Sequence, residues 1–182
     1  DFKKNPHILI VDDNVQNIQI LGKIVESMGY DTAVAMDGTE ALTYMNREIP
    51  DLILLDVMMP EMDGYETCKK LKEDPITRDI PIIFITALSG PEDKIKAFES
   101  GAVDYITRPF VKDEVMARIE VHLNLKLAME QLKKMSVTDE LTGVYNRRFA
   151  YKILAREIEI AKREKDSFMV CYIDIDNLKK IN

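Results

Sequence analysis

Between residues 8 and 110, five short apolar runs alternate with stretches of helical periodicity. Ile8–Val11 leads into Asp12-Asp13, and Thr32–Met36 is a second, weaker strand. Leu52–Leu55 ends at Asp56, Ile82–Ile85 ends at Thr86, and Val103–Ile106 precedes Arg108-Pro109. Runs this short and continuously apolar suit strands covered on both faces. Between them, Ile18, Leu21, Val25 and Met28 form a helical stripe ended by Gly29, and Ala41, Leu42 and Met45 form another. Leu71 follows Tyr65-Glu66-Thr67-Cys68 in a third, and Ile95 with Phe98 marks a fourth, stopped by Gly101. Alternation of this kind demands right-handed crossovers, so the expected fold is α/β: a doubly wound parallel sheet of five strands.

A fifth helical pattern runs from Lys112 to about Met135 with no Gly or Pro, longer than a crossover requires. Met116, Ile119 and Leu123 suit packing on the sheet. Val121, Leu125, Ala128, Leu132 and Met135 step 4-3-4-3, a coiled-coil seam two heptads long. Residues 125–135 have no sheet left to cover, so pairing of two chains through this seam is expected; a core helix with a frayed tail is the alternative. Beyond it, Ser136-Val137-Thr138-Asp139 reads as a cap and turn. Residues 147–165 read as a charged amphipathic helix, with Phe149, Ile153, Ile160 and Ala161 toward its apolar side. Phe168–Ile173 reads as a strand ending in Asp174-Ile175-Asp176.

The 182 residues exceed one ordinary domain of roughly 100–150 but fall short of two. The pattern divides them into a first domain (1–123), a helical stalk (124–135) and an incomplete second domain (136–182). The chain opens on Asp1 and is expected to be part of a longer protein. No apolar run approaches the ~20 residues of a membrane span, and no signal-peptide pattern opens the chain. The two cysteines, Cys68 and Cys171, have no metal-ligand spacing, and the cytoplasm is the expected compartment. Net charge is −7, split into −10 over residues 1–123 and +3 over 124–182. The basic part favours phosphate-bearing ligands or is a solvated lysine-rich face.

In an open parallel sheet, function gathers at the carboxyl ends of the strands. Those positions hold Asp12, Asp13, Asp56, Thr86 and Arg108. Converging carboxylates repel one another, and a hard cation such as Mg2+ relieves them while keeping several waters. An arginine adds a second positive charge and a threonine adds a hydroxyl donor. Such a set is suited to placing a phosphoryl group on one carboxylate, and Asp56, alone at the end of the central run, is the best-placed nucleophile. Any single strand-end Asp can instead be a helix cap, as Asp13 or Asn14 could be here.

Over residues 5–123 the chain resembles the response-regulator receiver domains of two-component signalling. The likeness rests on Ile8-Leu9-Ile10-Val11-Asp12-Asp13, Leu55-Asp56-Val57-Met58-Met59-Pro60-Glu61-Met62-Asp63-Gly64, Thr86-Ala87 and Asp104-Tyr105-Ile106-Thr107-Arg108-Pro109-Phe110. It implies a flavodoxin-like sheet and phosphorylation of Asp56 by a histidine kinase or phosphotransfer protein. It also implies Mg2+ held by Asp12 or Asp13, Asp56 and the Met58 carbonyl, and a switch in which Thr86 and Tyr105 move together. The family usually has lysine where Arg108 stands, and a cis bond before the following proline. Arginine keeps the charge but is longer and planar, so altered phosphorylation rate or lifetime is expected.

Asp139-Glu140-Leu141-Thr142-Gly143-Val144-Tyr145-Asn146-Arg147-Arg148 and Asp174-Ile175-Asp176-Asn177-Leu178-Lys179-Lys180-Ile181-Asn182 resemble the opening of GGDEF diguanylate cyclase domains. That likeness implies Mg2+ on Asp174 and the Ile175 carbonyl, phosphate contact from Lys179 and guanine contact from Asn182. In that family two GTP molecules condense to cyclic di-GMP across a dimer. The signature loop Gly-Gly-(Asp/Glu)-Glu-Phe is absent from these 182 residues, so cyclase activity is expected of an intact parent and not of this chain. The expectation is a phosphorylation-controlled homodimer joined through receiver and stalk, with a pseudo-receiver scaffold as the alternative. No helix-turn-helix spacing supports DNA binding.

Overall fold

The computed structural model describes residues 5–87, 90–139, 141–167, 169–171 and 173. The elements follow the order β1 (His7–Val11), α1 (Val15–Ser27), β2 (Asp31–Ala35), α2 (Gly38–Tyr44), β3 (Leu52–Asp56), α3 (Gly64–Glu73), β4 (Ile82–Thr86), α4 (Pro91–Glu99), β5 (Asp104–Thr107), α5 (Lys112–Val137) and α6 (Arg147–Glu164). The five strands form one parallel sheet in the order β2-β1-β3-β4-β5. The chain divides into two compact units, residues 1–129 and 130–182.

Every residue of β1, β3 and β4 is buried, as their unbroken apolar runs demand. Alternate side chains serve opposite faces. Leu9, Val11, Ile53, Leu55 and Phe84 pack against Ala41, Cys68, Leu71 and Ala97 of α2, α3 and α4. Ile8, Ile10, Leu52, Leu54 and Ile83 pack against Ile18, Leu21 and Val25 of α1 and Val115, Ile119 and Leu123 of α5. Helix starts are capped by side-chain oxygens: Asn14 accepts from the Gln16 amide, Asp37 from Glu40 and Asp63 from Glu66. Asn14, rather than Asp13, is therefore the α1 cap.

Helix α5 crosses the sheet and is tied to its amino edge by ion pairs. Arg118 Nη1 lies 2.6 Å from both carboxylate oxygens of Asp104, and His122 Nε2 lies 3.1 Å from one of them. Lys126 Nζ reaches Asp51 Oδ1 at 2.8 Å, while the His7 amide donates to Asp51 Oδ2 at 3.0 Å. Burial alone would raise the Asp104 carboxyl, but the hydrogen bonds from Arg118 and His122 bring it below the usual carboxylate value. A depressed carboxyl stabilises the fold above its unfolded pKa, and that contribution fades as pH falls through the lower, folded value. Asp104→Asn is expected to cost about 1–2 kcal/mol at neutral pH, with the deficit shrinking as pH falls below about 4 toward the folded value. Urea melts at pH 7 and pH 3 check this; equal deficits at both would refute it.

After Leu123, the last α5 residue in the sheet core, the apolar side chains Leu125, Leu127, Met129 and Leu132 are exposed. In the second unit, Thr138 and Tyr145 form an antiparallel bridge, and Asp139 Oδ1 accepts from the Thr142 amide and hydroxyl. Asn146 caps α6 through the Phe149 amide, and the Tyr145 and Phe149 rings sit 4.9 Å apart. The strand expected over Phe168–Ile173 does not form among the described residues: positions 169–171 and 173 carry no strand. Met169 and Ile173 are 93% and 84% exposed, and an isolated segment with no ladder partner gains too little to stay extended as a strand.

Candidate functional site

The strand order reverses between β1 and β3, where a crevice opens at the carboxyl edge. Asp12 follows β1, Asp56 is the last residue of β3, Thr86 is the last of β4, and Arg108 follows β5. Asp12 and Asp56 are each 1% exposed, whereas Asp13 is exposed. One oxygen from each of these three carboxylates lies within 4.8 Å of the other two. The sheet thus gathers Asp12, Asp13, Asp56 and Arg108, while Thr86 is buried at the adjoining strand end.

Each buried carboxylate is held. Asp12 Oδ1 accepts from the Asn14 amide at 2.8 Å, and Asn17 Nδ2 lies 3.1 Å from both Asp12 oxygens. Arg108 Nη2 sits 2.6 Å from Asp12 Oδ2 and 3.0 Å from Asp56 Oδ2, bridging the pair. The Met58 amide faces Asp56 Oδ1 at 3.3 Å. Burial pushes the Asp56 carboxyl above its ordinary value; Arg108 opposes that shift, and the charge of Asp12 adds to it. The Arg108–Pro109 bond is cis, as the likeness implied.

The sequence reading assigned no role to two contributors. Asn17, one turn into α1, orients Asp12, yet looked like an ordinary polar helix residue. Gly64 opens α3 directly beneath the crevice, with its amide donating to the Val57 carbonyl at 3.0 Å. A Cβ there would collide with the Asp56 carbonyl oxygen and come within 2.9 Å of Val57 Cα. The signal available was its place immediately after the capping Asp63. Tyr105 is half-buried against the core, with its ring edge-on to Phe98 at 6.1 Å. Asp174, Ile175, Lys179 and Asn182 lie outside the described residues.

The donor set fits a hard divalent cation. It offers clustered carboxylate oxygens at an edge open through the exposed Asp13, with Arg108 supplying one positive charge against three negative ones. Mg2+ would be held by Asp12 or Asp13 with Asp56 and the Met58 carbonyl.

The profile of the response regulator receiver domain matches residues 8–120. The chain belongs to the response-regulator receiver family. A second profile, the diguanylate cyclase GGDEF domain, matches residues 136–182. Response regulator PleD of Caulobacter vibrioides is 43% identical over 137 residues, spanning 75% of this chain and 30% of PleD. The DNA-binding dual master transcriptional regulator RpaA of Synechocystis is 40% identical over 131 residues, covering 72% of this chain and 54% of that protein. A response regulator of Chloroflexus aurantiacus superposes with TM-score 0.65 at 36% identity, covering 66% of this chain and 99% of the other. The receiver of a Pseudomonas aeruginosa sensor histidine kinase, solved with magnesium in its active-site cleft, gives 0.62 at 28% identity, with 66% and 98% covered. The chain thus spans less than a third of one curated relative's length and about half of the other's. A receiver followed by the start of a GGDEF domain marks a response-regulator architecture in two-component signalling. None of the described helices is long and apolar enough to cross a membrane.

Proposed function

We propose that Asp56 is the phosphoacceptor of this receiver and that a histidine kinase or phosphotransfer protein supplies the group. The observation that carries the reading is a buried Asp56 carboxylate ringed by Asp12, Asp13 and Arg108 at the switch point of the sheet. A carboxylate oxygen of Asp56 forms the new P–O bond as the donor's P–N bond breaks, the electron pair leaving with the donor imidazole. Bound Mg2+ supplies charge neutralisation for the transferring group. Arg108 offers a second cation, Thr86 a hydroxyl at the neighbouring strand end, and Asn17 keeps Asp12 oriented. Asp13 is the more accessible metal ligand, since Arg108 already occupies Asp12 Oδ2.

The output we propose is pairing of two chains through receiver and stalk, controlling a diguanylate cyclase (2 GTP to cyclic di-GMP) in the intact protein. The boundaries proposed are 1–123 for the receiver, 124–135 for the stalk and 136–182 for the GGDEF portion. Support comes from the exposed seam residues Val121, Leu125 and Leu132, which are 60%, 54% and 67% exposed on α5. Asp174, Ile175, Lys179 and Asn182 are the proposed metal and nucleotide contacts of the GGDEF portion. One observation favours a different reading: Arg108 already neutralises Asp12 and Asp56, as it would in a scaffold that takes no phosphoryl group.

A small phosphodonor with Mg2+ separates the two. Phosphoacceptor function predicts one phosphoryl mass increment located to Asp56, and sedimentation with beryllofluoride predicts a shift toward dimer. An unmodified Asp56 and an unchanged oligomeric state would favour the scaffold.

A further inference from the structure

We propose that Arg108 grips the phosphoryl group on Asp56 with two parallel hydrogen bonds, from Nε and Nη2, and thereby prolongs the phosphorylated state. The inference rests on the phosphoacceptor reading above.

Its basis is the uneven use of one guanidinium edge. Nε–H and the nearer Nη2–H project side by side from that edge, at a spacing that matches two oxygens of a carboxylate or phosphoryl group. Nη2 is engaged, 2.6 Å from Asp12 Oδ2 and 3.0 Å from Asp56 Oδ2. Nε is buried and has no acceptor among the described residues. A buried donor left without an acceptor is uncommon and calls for an explanation. Phosphorylation of Asp56 supplies one, because it sets three oxygens beside the carboxylate that Nη2 already touches. Lysine, the usual residue at this position, carries its donors on one freely rotating ammonium and has no second donor fixed in the same plane.

The fork acts on hydrolysis. A water oxygen bonds to phosphorus as the P–O bond to Asp56 breaks; the electron pair returns to the carboxylate, and the water proton goes to the released phosphate. In a loose transition state the phosphoryl group flattens and charge shifts toward the departing oxygen. A fork fitted to the tetrahedral group holds the ground state more firmly than that transition state, so hydrolysis slows.

The test uses the full chain phosphorylated by a small phosphodonor with Mg2+, then stripped of donor, with phosphoryl-Asp56 followed by intact mass. Arg108→Lys is expected to shorten the half-life about tenfold, the worth of one charge-assisted hydrogen bond. A second readout needs no variant: in the 15N-labelled wild-type chain, the Arg108 Nε–H resonance moves downfield when beryllofluoride and Mg2+ are added. Uptake with equal half-lives, or an unmoved Nε–H, overturns the fork while the phosphoacceptor reading stands. A wild-type chain that takes up no phosphoryl group at all overturns both.

Discussion

Asp56→Asn is expected to produce a chain that takes up no phosphoryl group and yet melts at a higher temperature than the parent at pH 7. The carboxamide has no anionic oxygen to attack phosphorus, so the loss of uptake is complete. The gain in stability follows from the same burial that shapes the site. Desolvation raises the Asp56 carboxyl above its ordinary value, Arg108 only partly offsets this, and Asp12 adds repulsion. When a carboxyl is raised in the folded state, the native chain holds its proton more tightly than the unfolded chain. Stability therefore declines as pH climbs from the unfolded pKa through the folded one, and the full penalty is present at neutral pH. The neutral, near-isosteric asparagine removes that penalty and leaves Arg108 paired with Asp12. The expected gain is roughly 0.5–2 kcal/mol at pH 7, in the range of relieved active-site strain. It should disappear below about pH 4, where the parent's carboxyl is protonated in both states. Thermal melts at the two pH values check this; a variant less stable than the parent at pH 7 would contradict it.

Gly64→Ala is expected to cause the larger structural loss, about 3 kcal/mol or more. The methyl group would meet the Asp56 carbonyl oxygen and, at 2.9 Å, Val57 Cα. These are backbone atoms of β3 and its exit turn, so no rotamer change relieves the clash. The start of α3 has to move, carrying with it the Asp63 cap and the Gly64–Val57 hydrogen bond. Because Asp56 itself is part of the displaced turn, phosphoryl uptake falls together with stability. Denaturant melts and uptake kinetics on the same variant check both effects. A wild-type melt would show that the close approach of α3 to β3 matters less than the geometry indicates.

The sheet and its acidic edge were legible because each depends on short stretches of chain. Three strands are buried end to end, so Ile8–Val11, Leu52–Leu55 and Ile82–Ile85 could not read as anything else once Gly29 and Gly101 closed the helices between them. Asp12, Asp56 and Arg108 were identifiable as strand-end residues for the same reason. The seating of Arg108 across both carboxylates was not legible, since it depends on the lateral order of β5, β4, β3 and β1 and on one side chain's conformation. The ties from Asp104 to Arg118 and His122, and from Asp51 to Lys126, were hidden because they join positions far apart in sequence. Val115 was also passed over: Met116 is the larger side chain, but Val115 is the fully buried one. The stretch 168–173 shows the opposite limit. Its apolar character is strand-like, and composition alone does not supply a neighbouring strand.

The ties between α5 and the amino edge of the sheet have a mechanical consequence. Arg118 and Lys126 fasten the helix on the side of the sheet opposite the acidic crevice, at Asp104, the first residue of β5, and at Asp51, immediately ahead of β3. The two anchors lie eight residues apart, roughly 12 Å along the helix axis at ~1.5 Å per residue. Two attachments that far apart hold the direction of a rod as well as its position, so within the first unit α5 cannot pivot about one ion pair without stretching the other.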